Sequence, residues 1–353
     1  MINGSITRRS FMRHTALRTL AGGSLVPVFS KALLAQSRAA NDPIAHRFVT
    51  ANGIRIHLAE QGQGPVVLMC HGFPESWYSW RHQLPALAAA GFHAVAPDMR
   101  GYGQTDRPKE IDQYTMLHLV GDLVGVLDAL KVDTAVIVGH DWGGTIAWQA
   151  ALLRPDRFRA VIALSVPFRL SGAVPPTSVM PHTDSELYYQ LYFQSPGIAE
   201  AELERDVRQT VRRVFTSNST PGGMVPRRGG WLTGRTAAAA LPPWLTESDI
   251  DFYATEFARA GFRGGLNYYR NLDRNWELLA SFAGKRIGVP ALFIAGDQDP
   301  LLTYPGMAEA VKEMTKTVPG LRKSILLPGC GHRTQQERPQ EVNAAMLEFL
   351  NSL

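Results

Sequence analysis

An aspartate flanked by glycines, directly after an apolar run, constrains the fold of this chain more than any other feature. Residues 134–138 are a short, mostly apolar run typical of a buried parallel strand, and Gly139-His140-Asp141-Trp142-Gly143 follows at once. Residues 144–153 then have helical character. Glycines two positions before and after Asp141 allow a sharp turn without side-chain clash. The pattern predicts a strand–turn–helix unit that holds Asp141 at the carboxyl end of a sheet.

Strands and helices alternate on both sides of this unit, which predicts an α/β fold with a mostly parallel sheet flanked by helices. The other predicted strands are residues 48–57, 66–70, 92–96, 161–164 and 291–295, and the other predicted helices are 80–90, 114–130 and about 340–350.

The alternation stops between residues 168 and 283, where the chain is aromatic-rich and helical. We therefore predict a core domain formed by residues 41–167 and 284–353, with a helical cap, or lid, inserted at 168–283. A Gly/Pro/Arg-rich break at about 217–243 predicts a surface or lid loop within the cap. Its arginines are expected to be solvated: Arg227, Arg228 and Arg235.

The formal net charge of +5 belongs to the N-terminal segment rather than to a basic surface. Residues 1–40 hold six basic residues and no acidic one, which leaves 30 basic and 31 acidic residues in the rest of the chain. No nucleic-acid partner is therefore expected. No run of about 18 apolar residues occurs, so neither a transmembrane helix nor a stable membrane anchor is expected.

Residues 1–40 have the features of an export signal. Arg8 and Arg9 lie in Thr-Arg-Arg-Ser-Phe-Met, ahead of a weakly apolar stretch rich in Gly and Ala, and this arrangement resembles a twin-arginine signal. It implies a bacterial protein that is periplasmic or secreted. The alternative is a disordered basic tail.

Asp141 determines the chemistry that the turn can support. A serine there needs a base to remove its proton, whereas an aspartate with an ordinary pKa of about 3.9 is already ionised at neutral pH. Its carboxylate can attack an sp³ carbon that carries a leaving group and form an ester. The alternative is that Asp141 only caps the helix that follows.

An acid and a histidine come later, in the chain order expected for such a site. His332 lies in Gly329-Cys-Gly-His332, and Asp299 follows the strand 291–295 in Gly296-Asp297-Gln298-Asp299. We predict that His332 activates a water molecule and that Asp299 orients and stabilises the histidine. Asp297 is the competing acid.

Two backbone amides are candidates for an oxyanion hole. Phe73, in the loop after strand 66–70, and Trp142, directly after the nucleophile, each have an N–H that can stabilise a developing oxyanion. This stabilisation is needed when water attacks the ester carbonyl.

Together these segments resemble the epoxide hydrolases of the α/β-hydrolase superfamily, most closely the hydrolase domain of soluble epoxide hydrolases. The resemblance runs from about residue 45 to 350 and includes His71-Gly-Phe-Pro-Glu-Ser-Trp and Cys330-Gly-His332-Arg-Thr-Gln-Gln. It implies an α/β-hydrolase fold and the opening of an epoxide to a diol. The family often has Trp after the histidine, whereas this chain has Arg333, which is expected to be peripheral.

The resemblance also assigns two cap tyrosines. The family holds the epoxide oxygen with tyrosines in Tyr-Gln-Leu-Tyr-Phe-Gln and Asn-x-Tyr-Arg-Asn patterns, which correspond to Tyr189 and Tyr269. Their neighbours Tyr188 and Tyr268 are the alternatives one residue out of register. A phenol with a pKa of about 10 can donate a proton to the leaving alkoxide, and this makes the assignment chemically sensible.

Three alternatives stay open at this point. A haloalkane or haloacetate dehalogenase shares the aspartate, the histidine and often a Trp after the nucleophile, so Trp142 does not discriminate, whereas the tyrosine pair favours the epoxide. The second alternative is a secreted binding or virulence factor on a hydrolase scaffold. The third concerns the assembly, for which a homodimer stays open. No cofactor is implied, and the histidines show no metal-ligand spacing. The expected partners are a small-molecule epoxide and water.

Overall fold

The computed structural model describes residues 43–217 and 221–353. The segment expected to be an export signal therefore lies outside the described residues. Within them, an eight-stranded sheet has the order β1-β2-β4-β3-β5-β6-β9-β10. Its strands are β1 (Ala45–Ala51), β2 (Ile54–Gln61), β3 (Val66–Cys70), β4 (His93–Pro97), β5 (Ala135–His140), β6 (Phe158–Leu164), β9 (Ala291–Gly296) and β10 (Leu321–Leu327).

The sheet is mostly parallel, which confirms the fold class expected from the sequence. Only the pairings of β2 with β1 and with β4 are antiparallel. The central strands β3, β5 and β9 are fully buried, which explains why they are apolar on both faces. The predicted single strand at 48–57 is wrong in its extent, because a turn at Asn52 and Gly53 with positive φ divides it into the hairpin β1–β2.

Helices cover both faces of the sheet. The first three are α1 (Gln83–Ala89), α2 (Met116–Leu130) and α3 (Trp142–Leu153). One apolar core joins α2 and α3 to the sheet residues Leu68, Ile137 and Phe293, and a second joins α1 and the C-terminal helix to Val67, Val136 and Leu292. Successive strand residues thus point to opposite cores, as the pleat requires.

The segment between β6 and β9 contributes no strand to this sheet. It holds a separate two-stranded antiparallel sheet of β7 (Glu186–Tyr188) and β8 (Met224–Pro226). Its helices are α4 (Tyr189–Tyr192), α5 (Ile198–Leu203), α6 (Val207–Thr216), α7 (Glu247–Ala260), α8 (Arg263–Arg270) and α9 (Leu272–Leu278). Phe73, in the loop after β3, packs against four aromatic rings of this segment: Phe193, Trp231, Phe262 and Tyr269. These helices therefore lie over the carboxyl ends of the central strands.

The chain ends with α10 (Met307–Thr317), α11 (Thr334–Glu337) and α12 (Pro339–Asn351), which alternate with β9 and β10 in the second part of the core. Among the described residues, no helix combines the length and the apolar character needed to cross a membrane.

Candidate active site

Asp141 lies at a sharp turn between β5 and α3, with φ 54° and ψ −120°. Positive φ is strained for an aspartate, and strain of this kind persists only where the surrounding structure enforces it. The two flanking glycines enforce it here. A Cβ at Gly139 would clash with the carbonyl of Gly143, and a Cβ at Gly143 would clash with the carbonyl of Cys70. The turn predicted from the glycine spacing is therefore built by close backbone packing.

The carboxylate of Asp141 points into a cavity rather than capping α3. It makes no capping hydrogen bond with that helix, so the helix-cap interpretation is wrong. Its Oδ1 accepts a 2.8 Å hydrogen bond from the backbone N–H of Phe73, and its Oδ2 lies 3.5 Å from Nε2 of His332. The two oxygens thus have different surroundings, one at an amide donor and one facing the histidine.

His332 joins the two acids. Its Nδ1 lies 3.1 and 3.0 Å from the two carboxylate oxygens of Asp299, whose side chain is fully buried. Burial lowers the pKa of His332, but the charge of Asp299 and the hydrogen bonds with Asp141 and Asp299 outweigh it and raise the pKa to about 10. The competing acid, Asp297, is exposed and accepts a 2.8 Å hydrogen bond from the N–H of Gly329.

The same contacts keep the carboxylate of Asp299 ionised. Burial raises its pKa, but the charge and hydrogen bond of His332 and the N–H of Leu301 outweigh burial, so the pKa lies below its ordinary value. The Leu301 N–H donates at 2.9 Å to Oδ1. Asp299 is thus an ionised partner that orients His332 and stabilises its protonated form.

The two predicted oxyanion residues flank Asp141. Phe73 N–H already donates to Oδ1, whereas Trp142 is the first residue of α3, where backbone N–H groups point out of the helix. The indole of Trp142 also meets the ring of Tyr269 edge-on, with 5.0 Å between centroids. Trp142 therefore connects the nucleophile turn to the cap.

Tyr189 and Tyr269 line the same cavity as Asp141 and His332, with 5.8 Å between the two ring centroids. Burial raises the pKa of both phenols well above the ordinary value, and neighbouring tyrosines and Asp141 act in the same direction. Both phenols are therefore neutral at physiological pH and hold a proton that they can donate.

The neighbouring tyrosines, one residue out of register, have other roles. Tyr268 is buried, and its hydroxyl donates a 2.9 Å hydrogen bond to the carbonyl of Arg100. Tyr188 packs its ring against Tyr304 and does not line the cavity.

Two expectations about arginines are wrong. The cavity has a volume of about 370 Å³, and both Arg235 and Arg333 line it with only 8% of their surface exposed. Arg235 is thus not solvated and Arg333 is not peripheral, whereas Arg227 and Arg228 are exposed as expected. The segment that carries Arg235 folds inward because its apolar side chains, Trp231 and Leu232, are buried.

A buried pair next to His332, formed by Glu75 and His140, was not predicted from the sequence. Glu75 Oε2 lies 3.0 Å from Nδ1 of His140, and Nε2 of His140 lies 2.7 Å from the carbonyl oxygen of His332. Burial raises the pKa of Glu75, but the charge and hydrogen bond of His140 outweigh burial and lower the pKa to about 2. The pair fixes the backbone that carries His332. In the sequence, the two residues are marked only by their place inside motifs that point to other residues: Glu75 lies in the loop motif of Phe73, and His140 precedes Asp141.

The chain is similar in sequence and structure to known enzymes. Residues 65–339 match a family model described as alpha/beta hydrolase fold. Epoxide hydrolase A of Mycobacterium tuberculosis is 48% identical over 317 residues, which cover 87% of this chain and 97% of that protein.

Solved structures show the same likeness. An epoxide hydrolase from an endophytic Streptomyces is 50% identical with a TM-score of 0.84, and the match covers 88% of this chain and 96% of that chain. Epoxide Hydrolase A from Mycobacterium thermoresistibile is 44% identical with a TM-score of 0.83, covering 88% and 99%.

Proposed function

The chain belongs to the epoxide hydrolases of the α/β-hydrolase fold, and we propose that it opens an epoxide to a vicinal diol through a covalent ester on Asp141. The observation that carries this mechanism is the convergence of Asp141, Tyr189 and Tyr269 on one cavity. An ionised carboxylate can attack the carbon of a C–O bond while neutral phenols receive the oxygen that leaves.

In the first step, Oδ2 of Asp141 attacks an epoxide carbon, because Oδ1 is already held by the N–H of Phe73. The C–O bond of the ring breaks as the new ester bond forms. The departing oxygen takes a proton from Tyr189 or Tyr269, and His332 gives up its own proton to restore that phenol. Asp141 is then a neutral ester.

The second step follows from this loss of charge. The pKa of His332 is raised to about 10 partly by the hydrogen bond and charge of Asp141, and both vanish in the ester. The pKa therefore falls, and neutral His332 can take a proton from water that attacks the ester carbonyl. Oδ1 carries the developing charge at the N–H groups of Phe73 and Trp142. Collapse releases the diol and regenerates the Asp141 carboxylate beside protonated His332.

The two phenols favour epoxide opening over dehalogenation. A halide leaves as a stable anion and needs no proton, whereas an alkoxide does, and both Tyr189 and Tyr269 hold neutral phenols at the cavity. The complete set of reactive groups likewise favours a catalyst over a binding protein on the same scaffold.

The test is the intact mass of His332→Gln after incubation with a panel of epoxides and, separately, with halogenated compounds. The variant should stall at the ester, so we expect a mass gain equal to the whole epoxide. His182→Gln is the control because His182 is exposed and should turn over without a trapped adduct. An adduct that forms only with loss of HX would identify a dehalogenase. No adduct from either panel would refute the covalent route.

We propose further that residues 1–40 direct export through the twin-arginine route, based on Arg8 and Arg9. Replacing both with lysine should retain the protein in the cytoplasm, which fractionation of the native host would measure. Equal export of the double variant would contradict the proposal. A homodimer is an alternative that light scattering on the exported protein would decide.

A further inference from the structure

One carboxylate of the cap, Glu202 on α5, binds a loop that forms part of the cavity wall. Its Oε2 accepts a 2.9 Å hydrogen bond from the backbone N–H of Trp231, and its Oε1 accepts a 2.8 Å hydrogen bond from the backbone N–H of Leu232. Oε2 also accepts a 2.9 Å hydrogen bond from the hydroxyl of Tyr192 on α4. All three donors are neutral, and two of them are consecutive backbone groups of the same loop.

This loop, residues 229–235, depends on Glu202 for its attachment to the cap. Where the structure describes the chain, the other hydrogen bonds of the loop are made within residues 226–235. Hydrogen bonds to an ionised carboxylate are about twice as strong as those between neutral groups. Glu202 is therefore the hydrogen-bonding residue that joins the loop to the rest of the cap, and the packing of apolar side chains is the other support.

Gly230 allows the loop to approach the carboxylate closely. Its φ is +86°, a conformation that favours glycine. A Cβ at this position would lie 2.6 Å from both carboxylate oxygens of Glu202 and from the hydroxyl of Tyr192. Any larger residue would therefore displace the loop or the carboxylate, and the contact between them requires glycine here.

The loop places an aromatic ring in the wall of the cavity. Trp231 is buried and lines the cavity together with Asp141. Its ring packs against Phe193, with 5.3 Å between centroids, and against Phe73, with 6.0 Å between centroids. Phe73 is the residue whose N–H binds the nucleophile, so the indole lies beside the reacting groups. The position of Trp231 therefore limits the space for a substrate next to Asp141.

We propose that Glu202 is a positioning residue that keeps residues 229–235 closed over the cavity, and that it limits the size of the epoxide through the ring of Trp231. We call its contact with the N–H groups of Trp231 and Leu232 the latch. The inference rests on the proposed function. Without the carboxylate, both N–H groups lose their acceptor and the loop keeps only its packing. The indole can then move away from Phe73, and the cavity widens beside the nucleophile.

The first test measures amide hydrogen exchange in a peptide that covers residues 226–235. In Glu202→Ala we expect this peptide to exchange about 10- to 100-fold faster than in wild type, the range for loss of hydrogen bonds to a charged group. Glu277→Ala removes an exposed carboxylate from another cap helix and should leave this exchange unchanged. Unchanged exchange in Glu202→Ala would overturn the latch, as would an equal acceleration in the buried strand β5, which reports opening of the whole fold.

Two further variants alter the latch in different ways. Glu202→Gln keeps one acceptor oxygen, so it should restore part of the wild-type protection that Glu202→Ala loses. Gly230→Ala keeps the carboxylate but places a methyl group against it, so it should accelerate the exchange of the loop. Wild-type exchange in Gly230→Ala would contradict the close fit on which the proposal depends.

The second test compares kcat/KM for trans-stilbene oxide with kcat/KM for styrene oxide within each protein, so that the fraction of folded enzyme cancels. We expect this ratio to rise about 10-fold or more in Glu202→Ala, because one methylene in a closed apolar pocket is worth about 10- to 200-fold. Trp231→Ala should also raise the ratio. Adding Glu202→Ala to Trp231→Ala should then have no further effect, because the carboxylate acts through this ring. An unchanged ratio in Glu202→Ala, or additive effects in the double variant, would overturn the control of substrate size.

The exchange measurement separates this inference from the proposed function, because it needs no substrate. Faster exchange of the loop in Glu202→Ala, with no epoxide hydrolysed by wild type, would support the latch and overturn the proposed function. Epoxide hydrolysis by wild type, with unchanged exchange in Glu202→Ala, would support the proposed function and overturn the latch.

Discussion

The two sides of the active site are positioned by different kinds of structure. On the sheet side, Asp141 and Phe73 lie within three residues of strand ends, and short backbone contacts fix them. On the cap side, Tyr189 and Tyr269 lie on separate helices, α4 and α8, and depend on packing between segments far apart in sequence. The positions of the sheet-side residues are therefore set by local sequence, whereas the positions of the cap tyrosines are set by tertiary contacts.

Arg270 is the clearest example of such a contact. It follows Tyr269, and its Nη1 and Nη2 donate at 2.7 and 2.9 Å to the two carboxylate oxygens of Glu200. Its Nε also donates at 3.1 Å to the carbonyl of Phe193, four residues after Tyr189. One guanidinium thus joins the two segments that carry the tyrosines, and the relative position of the phenols depends on it.

The largest effect is expected at the nucleophile on the sheet side. Freshly purified Asp141→Asn should lose about four orders of magnitude or more in kcat, because an amide cannot attack the epoxide carbon. Steady-state diol formation measures this. Asp297→Asn is the matched control, since Asp297 is an exposed turn residue, and it should keep wild-type kcat. Wild-type turnover by Asp141→Asn would exclude the covalent route.

The cap tyrosines should give the next largest effect. Tyr189→Phe combined with Tyr269→Phe should lower kcat by about 10²- to 10⁴-fold, the usual range for loss of a positioned acid. Ester formation in a single turnover is the step to measure, because the phenols act on the departing oxygen. Tyr268→Phe is the control, since its hydroxyl binds the carbonyl of Arg100. Rapid ester formation in the double variant would show that the tyrosines are not needed to protonate the departing oxygen.

The contact that joins the tyrosine segments offers a test of the cap side as a whole. Arg270→Met removes the cation paired with Glu200, whose carboxylate keeps only the hydrogen bond from the N–H of Gly197. We expect the free energy of unfolding to fall by about 3–5 kcal/mol. The surviving folded enzyme should also have a lower kcat, because the phenols lose their common support. Arg274→Met, which breaks an exposed pair with Glu277, should cost at most about 1 kcal/mol. Equal losses in the two variants would contradict the positional role of Arg270.

The same difference explains what the sequence could predict. The turn at Asp141 was recognisable because its glycines, strand and helix are adjacent in the chain, and local sterics determine the geometry. The parallel sheet followed from buried strands that are apolar on both faces. The boundary between β1 and β2 was not predicted, because residues 48–57 alternate well enough to pass for one strand despite the turn at Asn52-Gly53.

Side chains that enter the site from a distance could not be predicted in the same way. Arg235 lies in a Gly/Pro/Arg-rich segment that resembles a solvated loop, and it is buried because Trp231 turns inward against Phe73 and Phe193. Arg333 was expected to be peripheral, but Phe215 of α6 covers its guanidinium from the cap. Both depend on contacts between the cap and the core, for which a single sequence carries no periodic signal.

A pH dependence of stability is expected that belongs to the sheet side alone. The pKa of His332 is raised from about 6.5 to about 10, so its protonation stabilises the fold fully below about pH 6.5 and this contribution is lost as the pH rises through about 10. The free energy of unfolding of wild type minus that of His332→Gln should therefore fall across this window, as measured by urea denaturation.

On the cap side, Tyr269→Phe should show no such slope over the same range. The ordinary pKa of tyrosine is about 10 and burial raises the pKa of Tyr269 further, so the phenol is neutral in both folded and unfolded states across most of the window. A flat difference for His332→Gln would mean that the two acids do not hold the histidine in its charged form. The proposed timing, in which the ester on Asp141 releases that proton, would then lose its physical basis.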